Sequence, residues 1–371
     1  MPQTGTQRNP GLDLLRLLSM GMVVLLHLLG RGGILQAVQP FTAHYWTAWT
    51  IETAAYCAVD CYALLSGYLL VYSRCRRGSL AALWLQVFCY SAGITALFAL
   101  FYESVTLWRF LKSCLPVSFT QYWYFTAYFA VYCLAPFWNR LLRTLPQKSF
   151  QRLLASGFFL LCLLPTVFGQ DMFVTGNAAN GQGYSFLWLT ALYFAGAYLR
   201  RFPLRSRSSR VWLVGYVLCV AGMLLFRLLA DLLSVRLGWA SFGGWVLRYP
   251  SPLVVGAAVC LFQCCLECRM KSVTLRRTVV WMAPASFGVY LLHAQPFVFH
   301  RLLNGAAVPL LALPAWRCCL ALLGIAAGIF AAGIFTDRVR MAVFRLLRLP
   351  ALCDRVGGWL DRWLPEEKEE A

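Results

Sequence analysis

The chain has 371 residues, of which 60% are hydrophobic and only 13% charged, with a mean hydropathy of +0.64. Runs of about 20 apolar residues recur from end to end, which excludes a soluble globular enzyme and leaves no room for a sizeable soluble domain. The formal net charge of +19 would suggest nucleic acid in a soluble protein, but no nucleic-acid motif is present and the basic residues cluster in short loops, where they report membrane topology.

The first apolar run, Leu12 to Gly30, contains Asp13, Arg16 and His27. Those charges, and the lack of a small-residue cleavage site after it, argue against a signal peptide. Eleven helical residues turn about 1100° and rise about 16 Å, so Arg16 and His27 share a face at different depths. A charge inside a membrane helix costs about 2.5–3.5 kcal/mol, and such residues usually face a bundle interior or a watery cavity. His27 is the candidate general base, because imidazole titrates near neutrality and a positioned base contributes roughly 10²–10⁴ in rate. Arg16 is a fixed cation suited to the phosphates or the acyl carbonyl of a donor such as acyl-CoA. The plainer reading is an Asp13–Arg16 ion pair and one buried, hydrogen-bonded histidine.

The second run, 46–72, is long enough to be broken, with Ser66-Gly67 as the expected joint. It carries Asp60, Ser66 and Glu52, the last a candidate substrate contact in an acceptor site expected to open outward near His27, His293 and the Lys- and Arg-free loop between segments five and six. Asp60 is expected either to orient His27 as imidazolium develops or to make a structural pair. Ser66 is a candidate substrate contact or nucleophile, and Ser66-Gly67 equally a point of close helix approach. The third run, 80–103, follows the basic loop of Arg74, Arg76 and Arg77, candidate sites for donor phosphates. The fourth, 121–139, places Trp123 beside a stripe of Tyr124, Tyr128 and Tyr132, which reads as an interfacial belt or as a stacking wall for a sugar or an adenine ring.

Six further runs follow at 150–168, 185–201, 210–230, 245–266, 279–300 and 310–335. The expected fold is all-α, a polytopic membrane bundle of about ten transmembrane helices. Segment nine sets Ser286, Tyr290 and His293 on one face, a substrate site or a buried structural histidine. His44 and His300 fall near the expected outer surface. The 15 cysteines are scattered through apolar segments as small buried hydrophobes, and even Cys264, Cys265 and Cys268 lack a partner cluster at zinc spacing, so no metal site is expected. Alternate loops are strongly basic, whereas Gln170 to Gly183 holds no Lys or Arg. The positive-inside rule then puts both termini in the cytoplasm of a multi-pass cell-membrane protein. Residues 1–337 are expected to form the membrane domain, and 338–371 a basic amphipathic tail on the inner membrane surface that ends in a solvated acidic run.

Five stretches in order resemble the membrane acyltransferase-3 family: R-N-P-G-L-D-L-L-R at Arg8 to Arg16; ten residues between Arg16 and His27; V-D-C-Y-A-L-L-S-G-Y at Val59 to Tyr68; Y-W-Y-F-T-A-Y at Tyr122 to Tyr128; and S-F-G-V-Y-L-L-H at Ser286 to His293. The resemblance spans Arg8 to about Asp337. It implies a ten-helix bundle that uses cytoplasmic acyl-CoA, usually acetyl-CoA, as co-substrate with no permanently bound cofactor. It implies O-acylation of a surface glycan or lipid-linked sugar. The family's spaced arginine and histidine carry over to Arg16 and His27, and its serine-glycine-tyrosine element to Ser66, Gly67 and Tyr68. Many relatives have Asn where this chain has Asp60. The family often adds a C-terminal esterase-like domain that this sequence lacks, so transfer is expected to finish in the membrane domain or on a separate partner. The expected partners are acyl-CoA, the glycan or lipid-linked acceptor and membrane lipid. A small-molecule transporter on the same fold is the alternative; it would move its substrate unchanged, whereas an acyltransferase leaves an ester.

Overall fold

A computed structural model describes residues 8–73, 75–102, 104–168, 183–204, 208–238 and 242–363. Among the described residues the protein is all-helical, with no strand. In chain order the helices are α1 (Pro10–Gly30), α2 (Ile34–Ala37), α3 (Ala43–Ala55), α4 (Ala58–Leu70), α5 (Arg77–Phe101), α6 (Leu107–Cys114), α7 (Trp123–Thr144) and α8 (Gln147–Phe158). They continue with α9 (Leu164–Phe168), α10 (Phe186–Arg201), α11 (Ser209–Leu237), α12 (Pro252–Leu266), α13 (Val273–Met282), α14 (Ser286–His293), α15 (Ala315–Leu346) and α16 (Leu349–Trp363).

Among the described residues six helical stretches are long and apolar enough to cross a membrane: Pro10–Ala37, Ala43–Leu70, Arg77–Phe101, Gln147–Phe168, Ser209–Leu237 and Ala315–Leu346. The other four expected segments coincide with α7, α10, α12 and the α13–α14 pair, which are shorter or more polar and pack among the six.

Local chemistry starts α1 cleanly. Pro10 occupies the first turn, and the Asn9 side chain accepts from the Gly11 amide at 2.8 Å while donating to the Leu266 carbonyl at 3.2 Å. One side chain thus caps α1 and ties it to the end of α12. The second run is interrupted, but at Tyr56-Cys57, between α3 and α4, and not at Ser66-Gly67. Gly67 is a crossing point in the middle of α4: a Cβ there would strike the Tyr193 backbone of α10, and one at Gly196 would strike the Leu64 carbonyl. Small residues let the two backbones touch, and the packed neighbour keeps the helix straight.

The two ends of the bundle differ. At the end where α1 begins, arginines cap helices. Arg143 donates to the Val71 carbonyl at 2.6 Å, Asn139 to the Leu70 carbonyl at 2.8 Å, and Arg201 to the carbonyls of Leu142 and, at 3.0 Å, Leu145. These groups satisfy carbonyls that every helix C-terminus leaves open. The tail helix α16 docks on the start of α5 at this end, with Gly357 against Gly78. At the opposite end a loop returns to α1 through Gly305 N–H to the Arg31 carbonyl and Ala307 N–H to the Gly32 carbonyl, both 3.0 Å. Arg74, most of the Gln170 to Gly183 loop, and the acidic run at the C-terminus lie outside the described residues.

Candidate active site

Helices α1 and α14 bring His27 and His293 together. The Nδ1 of His27 lies 2.9 Å from the Nε2 of His293, and the Nδ1 of His293 lies 2.6 Å from the Val289 carbonyl. A carbonyl only accepts, so His293 carries its proton on Nδ1. With both rings neutral, His293 Nε2 is then an acceptor and His27 donates to it from Nδ1. That leaves the lone pair on His27 Nε2 free. His293 is 3% exposed, whereas His27 is only half-buried, with Phe299 packed edge-on at 5.0 Å. The turn after His293 is fixed by Gln295, whose side chain accepts from the amides of Phe297 and Val298 and donates to Thr95 at 3.1 Å.

From this pair a row of aromatic rings runs toward the start of α1. Tyr290 meets His293 at 6.2 Å between centroids and Tyr124 at 6.4 Å. Tyr124 stacks with Tyr128 at 6.3 Å, and Tyr128 meets Tyr132 at 6.1 Å. The Tyr132 hydroxyl donates to the Arg76 carbonyl at 3.2 Å. The four-residue spacing on α7 therefore makes one continuous wall, about 12 Å from Tyr124 to Tyr132.

Arg16 borders the same wall. Its carbonyl accepts from the Tyr62 hydroxyl at 2.7 Å, and the Tyr62 ring meets Tyr124 at 6.2 Å. The expected ion pair with Asp13 is present at 3.5 Å, but Asp13 bonds Arg8 more closely, at 2.6 Å. Arg16 thus shares its carboxylate and keeps donors to spare. Arg76 is exposed and Arg77 half-buried at this end. Ser66 donates to the Tyr62 carbonyl at 2.8 Å.

Asp60 does not reach His27. Its Oδ1 accepts from Trp188 Nε1 at 3.1 Å, so the neighbour that orients His27 is His293. Glu52 lies on α3 one turn before Tyr56, and Asp60 one turn after it, in the first turn of α4. Trp123 joins a second aromatic group with Tyr184 and Tyr249, at 4.5 and 6.2 Å. His44 and His300 stand apart from the histidine pair, bonded to the Leu313 carbonyl and to Arg31 respectively.

Sequence reading missed a buried network between α3 and α11. The Arg227 guanidinium carbon lies 3.2 Å from the centre of the Trp49 ring, its Nε donates to the Tyr45 hydroxyl at 2.9 Å, and Tyr45 donates to Asp231. Two ionisable residues four apart inside an apolar run were the signal available for it. Among the described residues no group of three or more His, Cys, Asp or Glu side chains could hold a metal ion.

The model of a family described as an acyltransferase domain, the acyltransferase-3 family, matches residues 9–334. A chain with six apolar, membrane-length helices and that match over most of its length belongs to the membrane acyltransferase-3 family. It is accordingly a multi-pass membrane acyltransferase. No curated protein and no solved structure matches it.

Proposed function

We propose that the protein is an O-acyltransferase that moves an acyl group, acetyl by preference, from cytoplasmic acyl-CoA to a hydroxyl of a surface glycan or lipid-linked sugar. In this reading the chain crosses the cell membrane ten times and both termini are cytoplasmic. The four shorter segments complete the alternation, and the basic loops lie on the inner side. The observation that carries the proposal is the His27–His293–Val289 chain, because it leaves one basic nitrogen, His27 Nε2, on a half-buried ring.

His27 Nε2 takes the proton of the acceptor hydroxyl as its oxygen attacks the thioester carbonyl carbon. The C–S bond breaks, and the coenzyme thiolate recovers the proton from the His27 imidazolium. The products are one ester and free CoA. His293 holds the His27 ring by accepting from its Nδ1 throughout. Arg16, with Arg76 and Arg77 beyond it, meets the donor's phosphates, a role the sequence also gives Arg74, and the tyrosine wall flanks the path of the pantetheine arm toward His27. Arg16 and His27 stand about 16 Å apart along α1, roughly half of a hydrocarbon core near 30 Å, so an extended arm covers much of the gap. Tyr290 and Tyr124 border the space where the acyl carbon would lie.

The test is sidedness in sealed, oriented vesicles with labelled acetyl-CoA. Label should reach an acceptor outside only when acetyl-CoA is supplied on the face carrying the termini. Equal transfer with both substrates confined to that face overturns the through-membrane geometry. An outer substrate moved without ester formation overturns acyl transfer itself.

A further inference from the structure

Besides Ser19 and Ser91, four side chains that are each more than nine-tenths buried carry an oxygen with no hydrogen-bond partner among the described residues. They are Glu52 (Oε2), Thr53 (Oγ1), Asp60 (Oδ2) and Ser251 (Oγ), and the indole N–H of half-buried Trp49 is unpartnered too. Buried polar atoms are nearly always paired, so a group of orphans calls for a cause. These lie around one aromatic group. Tyr56 packs on Tyr249 at 5.2 Å, Tyr249 on Tyr184 at 5.1 Å, and Tyr184 on Trp123 at 4.5 Å. Trp49, Glu52, Thr53 and Tyr56 recur at three- and four-residue spacing along one face of α3 and its last turn, and Asp60 follows in the first turn of α4. Ser251 follows Tyr249 by two residues. Tyr184, at the start of α10, is 38% exposed, so the group opens at that end of the bundle.

We infer that this cluster is the acceptor pocket, and that it holds a pyranose ring stacked on Tyr184, beside Trp123, with the ring hydroxyls bonded to Glu52 and Asp60. The inference rests on the acyltransferase reading above. The donor and acceptor mixture selects the ligand class. Two carboxylate oxygens accept, the Trp49 indole donates, and the Thr53 and Ser251 hydroxyls do either. A polyol answers all of them, whereas an organic cation would use only the carboxylates. The pocket also has the right neighbour: Trp123 touches Tyr124 at 5.7 Å, and Tyr124 leads through Tyr290 to His293 and His27. A sugar held there lies beside the same row of rings that leads to His27.

The experiment uses the full chain in lipid nanodiscs with acetyl-CoA and methyl glycosides of glucose, galactose, mannose, rhamnose and N-acetylglucosamine, reading CoA release and ester formation. The expected result is saturable, sugar-dependent CoA release. Its acceptor KM rises at least tenfold in Glu52→Gln and in Asp60→Asn, while kcat stays within about threefold and the KM for acetyl-CoA within about twofold. Asp60→Asn keeps the oxygen that Trp188 uses. Thr53→Ala, a milder change, covers the case in which the carboxylate variants fail to fold, and it should raise acceptor KM about threefold. Unchanged acceptor KM in the folded variants overturns the pocket and leaves acyl transfer standing. Acetyl-CoA that binds by calorimetry but is not cleaved with any of these sugars also overturns the pocket alone. Acetyl-CoA that neither binds nor is cleaved overturns the acyltransferase reading, and the pocket with it.

Discussion

Two buried acidic sites in this protein share a chemistry and differ in their accounting. Asp337 on α15 is fully buried and fully engaged: Gln86 donates to it at 2.9 Å, Tyr90 at 3.1 Å, and Arg340 from both Nε and Nη2, at 2.7 and 3.0 Å. It clamps α5 to α15, with Gly288 of α14 pressed against it. Glu52 and Asp60 are equally buried, and each leaves an oxygen unpartnered. A satisfied buried network makes a unique structure; an unsatisfied one costs stability unless something else completes it. The contrast separates a residue kept for the fold from residues held ready for a ligand, and substitutions should respond accordingly.

The largest effect belongs to the basic nitrogen that the histidine pair leaves open, His27 Nε2. His27→Ala should lower turnover by 10²–10⁴ with the protein still inserted and monodisperse. A purified variant that keeps more than about a tenth of wild-type turnover removes His27 from the base role. Next comes the clamp. Asp337→Ala strands Gln86, Tyr90 and Arg340 together, and should cost about 3 kcal/mol of stability, because removing one partner of a buried charged network leaves the others uncompensated. Thermal unfolding in detergent reads this as a clear fall in Tm, with acceptor KM unmoved in the surviving folded fraction. If acceptor KM moved instead and Tm did not, the division between the two acidic sites would collapse.

How much of this was legible in the sequence follows from the range of the forces involved. The apolar runs and the Arg16–His27 stripe are local, set by a 3.6-residue period, and they stand where expected. The resemblance likewise rested on short stretches in order, and the family match covers them. The break at Tyr56-Cys57 was not legible, since no glycine or proline marks it, and the glycine that drew attention is spent on the crossing with α10. Partner choice was the least legible of all. His27 and His293 are 266 residues apart, so nothing local told that His27 would bond to another imidazole while Asp60 went to Trp188. The orphan oxygens around Tyr56 appear only once six helices have been placed, because an unsatisfied group is a property of its neighbours.

A smaller effect tests the positioning of His27. His293→Leu removes the acceptor for His27 Nδ1, and His293→Gln restores one through its amide oxygen. The leucine variant should lose about tenfold in kcat with both KM values near wild type, and glutamine should recover most of it. A loss in both variants that tracks their unfolding, with the ratio of kcat values near one, would make His293 a packing residue only.

The smallest effect is expected at Ser66, and its neighbour provides the contrast. The Ser66 hydroxyl donates to the Tyr62 carbonyl of its own helix at 2.8 Å, a partner that cannot accept a proton outright. Without a base, a serine hydroxyl is a poor nucleophile. Its donor is satisfied within one helical turn, so removing it costs one bond to a carbonyl already bonded in the helix and the contact with Tyr128 on the neighbouring α7. Ser66→Ala should therefore leave turnover within about threefold and stability within about 0.5 kcal/mol. Gly67→Ala, one residue on and smaller as a chemical change, sets a methyl group against the Tyr193 backbone, where no side chain can move aside. It should part α4 from α10 and lower the yield of folded protein. A hundredfold loss of turnover in Ser66→Ala with folding intact would instead mark Ser66 as an acyl carrier, and the direct attack of the acceptor hydroxyl on the thioester would give way to transfer in two steps.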